Sequence, residues 1–356
     1  MNANVMQPAD LQESANRVWE KMSKPHEEWN FNLHYWEWET GVGLMGMIKA
    51  YETSENADML EYIKNWAAEN KGKRRFYSVN WVAPANVLLF MHRLTGEEEY
   101  IEACREYSDW CVHQALRTSN GGFAHVWKGG QEDYKNQLWI DTLFMSGIFM
   151  LDMGVYDNDQ ACLEEGLRQF DIHIESQFDP SCDLFYHGYH CLEQKPLGQH
   201  WGRGNGWAAV SLVELLRIVA TSSSSYDLSR YEEMFTRLMN SAYDLRMEDG
   251  MLRTLLDVQE EASYVEVSAS ALFAYAAIRG VKQGLLEPKF MAWAQQIVAS
   301  ITRDHLEEDG TILHASGGTD CQTQEGYFAV PYFPMQYTYG IVLMLLNESL
   351  HEEGSQ

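Results

Sequence analysis

Two kinds of helical segment alternate along the chain, and no other feature restricts its fold as strongly. One kind is amphipathic: Leu11, Ala15, Val18, Trp19 and Met22 share a face, as do Tyr100, Ala103, Tyr107, Trp110 and Cys111, and Leu163, Leu167, Phe170 and Ile174. The other kind is apolar almost all round, in Leu143 to Met150, Val210 to Ala220, Ala269 to Ile278 and Ile341 to Leu346. A helix of the first kind has one wet face, whereas one of the second must be buried on every side. The pattern predicts helices beginning near residues 8, 40, 55, 79, 97, 138, 158, 203, 227, 263, 287 and 335, outer and inner kinds in strict alternation.

An inner ring of apolar helices wrapped by an outer ring of amphipathic ones is an all-α toroid of six hairpins, an (α/α)6 barrel that would span residues 1–356 as a single domain. A superhelical solenoid is the competing arrangement, but it would carry a repeat of fixed period, and none is found. Inner-to-outer links are short, as at Thr95 and Gly96 or Thr221 to Ser225, while most outer-to-inner connections are long and rich in Gly, His and Trp. Long loops gathered on one rim of a rigid scaffold are where binding and catalysis reside. Trp29, Trp36, Trp38, Trp81, Trp127, Trp139, Trp201 and Trp207 fall in these loops or the first turns after them, leaving only four of the 12 tryptophans elsewhere. Flat rings beside polar groups suit the mixed apolar and hydroxyl faces of sugars.

The formal charge of −26 opposes non-specific binding to nucleic acid or to an anionic membrane surface. An anionic ligand would need local compensation, which the converging N-termini of the inner helices can supply through free N–H groups and aligned dipoles. The first residues lack the charged and apolar segments of a signal peptide and no apolar run has membrane-spanning length, so a cytoplasmic location is expected. The six cysteines show no framework spacing and no disulfide is assigned. His187 and His190, with Cys182 and Cys191 nearby, lack a recognised ligand spacing, and neither a metal nor an organic cofactor is assigned.

Within the rim, Asp141 stands at the start of an apolar helix, between Trp139 and Phe144. A carboxylate there can simply complement the helix dipole, but apolar neighbours can also desolvate it, raise its pKa and let it hold a proton near neutrality. The segment His200 to Trp207 sets Arg203 among glycines and indoles; as structure, the glycines form a turn, and as function, Arg203 offers two parallel hydrogen bonds to a carboxylate and Trp207 a stacking face. Glu39, Asn80 and Glu266 hold equivalent places before other inner helices, where capping and substrate contact are equally open readings.

Taken together, the segments WEWETGVGL, VNWVAPANVLL, LWIDTLFM, HGY, WGRGNGW, residues 252–277 and PMQYTYG resemble glycoside hydrolase family 105, the unsaturated rhamnogalacturonyl hydrolases, related to the unsaturated glucuronyl hydrolases of family 88. The resemblance covers nearly the whole chain and implies a six-hairpin barrel. It also implies a substrate: an oligosaccharide left by a polysaccharide lyase, whose non-reducing uronic acid carries a C4–C5 double bond. In such enzymes the acid matching Asp141 protonates C4 while water reaches C5, and the resulting hemiketal opens and releases the next sugar. The rule relating carboxylate separation to stereochemical outcome in ordinary glycosidases does not apply to this reaction.

Matched motif by motif, the resemblance places Trp139, His187, Arg203 and Trp207 around the unsaturated sugar, with Asn80 near the reacting region and Trp38 as a further substrate contact. Related enzymes often carry Asp where this chain has Asn80, and an amide cannot exchange a proton at working pH. Tyr189 replaces a commoner Trp. Loops 121–137 and 311–334 are expected to line the neighbouring sugar site. Three other readings are open: an unsaturated glucuronyl hydrolase acting on sulfated fragments, with Lys128 and Lys135 as sulfate contacts; an epimerase, which needs a proton-transfer pair not evident here; and an inactive glycan-binding protein.

Overall fold

The computed structural model describes residues 6–25, 33–73, 75–76, 78–126, 132–333 and 335–350. Outer helices α1 (Pro8–Met22), α3 (Ala57–Asn70), α5 (Glu98–His113), α7 (Gln160–Gln177), α9 (Ser229–Asp244) and α11 (Pro288–Asp304) alternate with inner helices α2 (Trp38–Ser54), α4 (Ala85–Thr95), α6 (Ile148–Tyr156), α8 (Gly202–Val219), α10 (Val267–Lys282) and α13 (Gln336–Leu350). A short helix α12 (Gln324–Phe328) lies in the last long connection. The fold is the (α/α)6 barrel expected from the alternation.

Burial follows the two sequence patterns. Helix α8 is buried at every position except Arg217, whereas α9 buries only Tyr231, Met234, Phe235, Leu238, Met239 and Ala242, one stripe at helical spacing. Each inner helix contacts the next, and α13 returns to α2, so the ring is closed. Closure depends on glycine: a Cβ on Gly46 would lie 2.0 Å from the carbonyl oxygen of Gly340, because the α2 and α13 backbones touch there. Local signals fix the helix ends. Asn56 and Asp159 cap α3 and α7, Pro8 and Pro288 occupy first turns where no N–H is needed, and Gly96 ends α4 with φ 73°.

Two inner helices begin later than their apolar patterns suggest. Near residue 79 the chain makes a short 3-10 turn, Val79–Val82, and α4 starts only after Pro84, which has no N–H to continue a ladder. Near residue 138, Gln137–Trp139 instead forms strand β1. It pairs with β4 (Gly188–His190), which also pairs with β5 (Lys195–Leu197). A separate hairpin joins β2 (Phe178–Asp179) to β3 (Leu184–Phe185). After Asp141 the chain passes through a widened turn, Leu143–Gly147, where the N–H of Ile148 reaches the carbonyl of Leu143, before α6 proper.

These strands lie in the outer-to-inner connections, so the long-loop rim is braced rather than loose. The cysteines are free. Among the described residues no helix is long and apolar enough to cross a membrane. Gly46→Ala is expected to lower stability by about 3 kcal/mol or more through forced separation of α2 and α13, as read from the urea midpoint. Gly72→Ala, where an added Cβ meets nothing within 4 Å, serves as its control.

Candidate active site

At the rim carrying the inner-helix N-termini, a cavity of about 460 Å³ is lined by residues from successive hairpins. Trp38 and Glu39 begin α2; Asn80 and Trp81 precede α4; Trp139 and Asp141 precede α6; Arg203 and Trp207 lie in the first turns of α8. His125 and Tyr134 enter from the α5–α6 connection, Trp201 from the residue before α8, and Thr319 and Asp320 from the α11–α13 connection. Their common place in the hairpin repeat explains why residues far apart in sequence meet here.

Asp141 sits in this wall with 14% of its side chain exposed. Its Oδ1 has no hydrogen-bond partner among the described residues, and neither do Nδ1 of His125, 3.9 Å away, and Oδ1 of Asn80. Buried polar atoms are rarely left unpaired, so three of them on one cavity mark a place for a polar ligand or water. Burial raises the Asp141 pKa to about 7, with Asp320 adding and the Arg203 charge and nearby backbone N–H groups opposing. Burial likewise raises Glu39 to about 7, helped by Glu37. His125, pushed down to about 3 by burial, is neutral at pH 7.

The aromatic residues divide into wall and core. Trp139 lies flat on His125, with centroids 3.9 Å apart and planes at 7°, and its indole N–H donates to Gln137 Oε1. Trp38 stacks on Tyr337 at 5.1 Å, and Trp207 packs on Phe144 at 4.4 Å. Trp36, expected at the rim site, is instead a core residue stacked between Trp66 and Tyr107, its N–H donating to the Trp81 carbonyl. Trp29, Trp127 and Lys128 lie outside the described residues.

Two expectations change. His187 does not line the cavity; it is buried behind the wall, its Nδ1 2.7 Å from the Tyr327 hydroxyl and its ring against Trp201 at 4.2 Å. The β1–β4 pairing draws it inward, because its carbonyl accepts from the N–H of Ile140. Arg203 does border the cavity, but its terminal N–H groups are already committed. One terminal nitrogen donates to the Ser316 carbonyl and the Ser316 and Ser268 hydroxyls, the other to the Gly317 carbonyl and Thr319 hydroxyl. The guanidinium is sandwiched between Trp201 and Tyr337. Arg203 therefore secures the 316–319 wall and supplies positive field rather than an open two-pronged clamp.

Glu266 proves structural: fully buried, it caps α10 at Ala269 N and holds Ser316 N. The glycines of the Arg203 motif serve close packing, since a Cβ on Gly202 would meet the Arg253 carbonyl at 2.4 Å. His125, Tyr134 and Asp320 were not singled out by sequence reasoning, because loop residues carry no periodic signal. The only pointer was their position in the two loops expected to border the site.

The model for Glycosyl Hydrolase Family 88 matches residues 12–352. The chain belongs to glycosyl hydrolase family 88. It is 34% identical over 319 residues to the unsaturated rhamnogalacturonyl hydrolase YesR of Bacillus subtilis, covering 88% of this chain and 90% of that one. An unsaturated 3S-rhamnoglycuronyl hydrolase of Formosa agariphila is 22% identical, covering 79% of this chain and 77% of that one. The crystal structure of a possible GH105 member from Klebsiella pneumoniae superposes with a TM-score of 0.91 at 24% identity, covering 98% and 95% of the two chains, and shares the fold. This family 88 chain is a glycoside hydrolase.

Two outcomes follow from the buried charges. Between its ordinary value of 3.8 and about 7, folded Asp141 holds a proton that the unfolded chain has lost, so its contribution to stability falls as pH rises through that window. Asp141→Asn removes this dependence. Denaturant unfolding should show the variant gaining on the parent from pH 4 to pH 7, by up to about 4 kcal/mol, with no further gain above. Arg203→Ala strands Glu266, 3.7 Å away, without its cation and should cost roughly 3–5 kcal/mol, visible as a lowered Tm.

Proposed function

We propose that this family 88 hydrolase removes a Δ4,5-unsaturated uronic acid from the non-reducing end of lyase-generated oligosaccharides, with rhamnose as the neighbouring sugar. The reading rests on one observation above others: a cavity carboxyl, Asp141, whose burial keeps it protonated close to neutrality while one of its oxygens has no partner among the described residues. The likeness to an unsaturated rhamnogalacturonyl hydrolase supports the choice of substrate. The whole chain, 1–356, acts as one catalytic domain, in the cytoplasm, on imported fragments.

Asp141 gives its proton to C4 of the vinyl ether, and positive charge develops at C5 and the ring oxygen. A water held at His125 Nδ1 adds to C5 and returns a proton to the Asp141 carboxylate, leaving a hemiketal. The ring C5–O bond then breaks to give a C5 ketone, and the hemiacetal exposed at C1 collapses with release of the next sugar. Trp38 provides a face for the sugar rings, and the buried Trp139 and Trp207 shape the wall beside it. The uronate is received by inner-helix N-termini and the field of Arg203. Asn80, unable to exchange protons, orients water or a hydroxyl through its unpartnered Oδ1.

Glu37, Glu39, Asp141 and Asp320 all line the cavity, and Arg203 is its sole Lys or Arg among the described residues. A highly sulfated fragment would meet more acid than base, so an unsulfated uronate is the better fit. The test is loss of the ultraviolet absorbance of the conjugated double bond in an unsaturated galacturonyl-rhamnose disaccharide. Asp141→Asn should lower kcat by about 10²–10⁴-fold. Full activity in that variant removes Asp141 from the acid role. In the parent enzyme kcat/KM should fall as pH rises through about 7, because the protonated carboxyl is the active form. A rate constant through pH 9 contradicts the assignment.

A further inference from the structure

Just before α8, three side chains from two segments converge without taking part in the reaction described above. Asp179 of β2, Cys182 of the β2–β3 turn and His200 just before α8 place a carboxylate oxygen, a thiol sulfur and an imidazole nitrogen within 4.8 Å of one another. His200 has 9% of its side chain exposed. Its Nδ1 lies 2.8 Å from Asp257 Oδ2, and since a carboxylate only accepts, Nδ1 carries the proton of the neutral ring. That tautomer leaves the lone pair on Nε2. Nε2 lies 3.6 Å from Asp179 Oδ2 and 3.7 Å from Cys182 Sγ, which is also 4.0 Å from Nδ1.

The spacing has a chemical meaning. For tetrahedral zinc, with bonds of about 2.0–2.1 Å to nitrogen and oxygen and about 2.3 Å to sulfur, ligand edges are roughly 3.4 Å for N···O and 3.6 Å for N···S. The Nε2···Oδ2 edge comes close to the first, while Sγ, 3.7 Å from Nε2 and 4.0 Å from Nδ1, stands beside the ring and reaches an ion on the Nε2 lone pair by a turn of the Cys182 side chain. A carboxylate behind the histidine, as Asp257 provides, is the usual device for fixing the ring of a metal-bound imidazole. The other ligands are held too. Asp179 Oδ1 accepts from the Ser181 N–H and hydroxyl, its Oδ2 accepts from Tyr186, and the Cys182 carbonyl accepts from Ser241 of α9. Asp179 and Cys182 are only half-buried, which leaves their side of the cluster open to an ion.

We propose that Asp179, Cys182 and His200 bind one divalent transition-metal ion of the zinc type, with Asp257 orienting His200 and water in the fourth position. Thiol and imidazole select such an ion over calcium or magnesium, which favour oxygen ligands. Binding takes the thiol proton to solvent, and the ion then clips the β2–β3 hairpin to the residue preceding Trp201. Of the four residues that the sequence set beside one another, His187, His190, Cys182 and Cys191, the site uses Cys182 alone. His187 is engaged by Tyr327, and Cys191 lies 3.5 Å from Asn120 Oδ1.

The test uses the intact, chelator-stripped chain titrated with Co(II). One equivalent should bind, with a near-ultraviolet thiolate-to-cobalt charge-transfer band and the visible absorption of a tetrahedral centre, and Zn(II) should displace it and raise the Tm. Cys182→Ser should abolish the band, while Cys191→Ser should leave it intact. Asp257→Asn, a change at a more exposed residue, should weaken Co(II) binding by about 10–100-fold while keeping the band, so the proposal stays testable if Cys182→Ser misfolds. Absence of a thiolate band in the parent, persistence of the band in Cys182→Ser, or unchanged affinity in Asp257→Asn overturns it.

Discussion

Closure of the inner ring is the constraint on which everything else in this molecule depends. Six helices that are apolar on nearly all sides cannot end at an open edge, and the α2–α13 contact removes that edge by bringing the backbones together at Gly46 and Gly340. Once the ring closes, every outer-to-inner connection must arrive at the same rim. The inner-helix N-termini are then neighbours, and their unsatisfied N–H groups point toward one space. The cavity and its favourable field for a carboxylate are thus consequences of ring geometry.

The rim also dictates how charge is used. Arg203 is so deeply buried that leaving its N–H groups open would be costly, and the structure satisfies them with Ser268 and the 316–319 segment. The arginine is thereby a fastener between α8, the Glu266 end of α10 and the last long connection. Its positive charge still reaches the cavity, where it opposes the rise in the Asp141 pKa without overcoming burial. A solvent-exposed arginine at the same place would be screened and would steady nothing.

The barrel was legible because burial on all sides and burial on one side leave different periodic traces, as α8 and α9 illustrate. Asp141, Trp38, Trp139 and Trp207 were legible because they flank helix starts, where the repeat assigns them to one rim. The errors have equally physical origins. Trp36 and Trp38 are two residues apart, yet one is a core stack and the other a cavity wall, a distinction made by tertiary packing alone. His187 was drawn behind the wall by strand pairing between short segments whose alternation is too brief to read. His125 and Asp320 sit in irregular loops, where no spacing rule says which way a side chain faces.

The chemistry and the electrostatics reinforce one another through pH. Below about 7 both Asp141 and Glu39 hold protons, so the cavity loses two of the negative charges that would repel a uronate. The form that admits the substrate is therefore the form that can protonate it. Arrival of the substrate carboxylate brings a like charge near Asp141 and displaces water, and both effects favour the neutral acid still further. Asn80 fits this scheme better than an aspartate would at the same place. A further carboxylate there would have to be neutralised as well, whereas the amide keeps polarity for orienting water without adding charge. One acid kept protonated by its surroundings is then sufficient for hydrating a vinyl ether, because the later bond cleavages follow from the instability of the hemiketal.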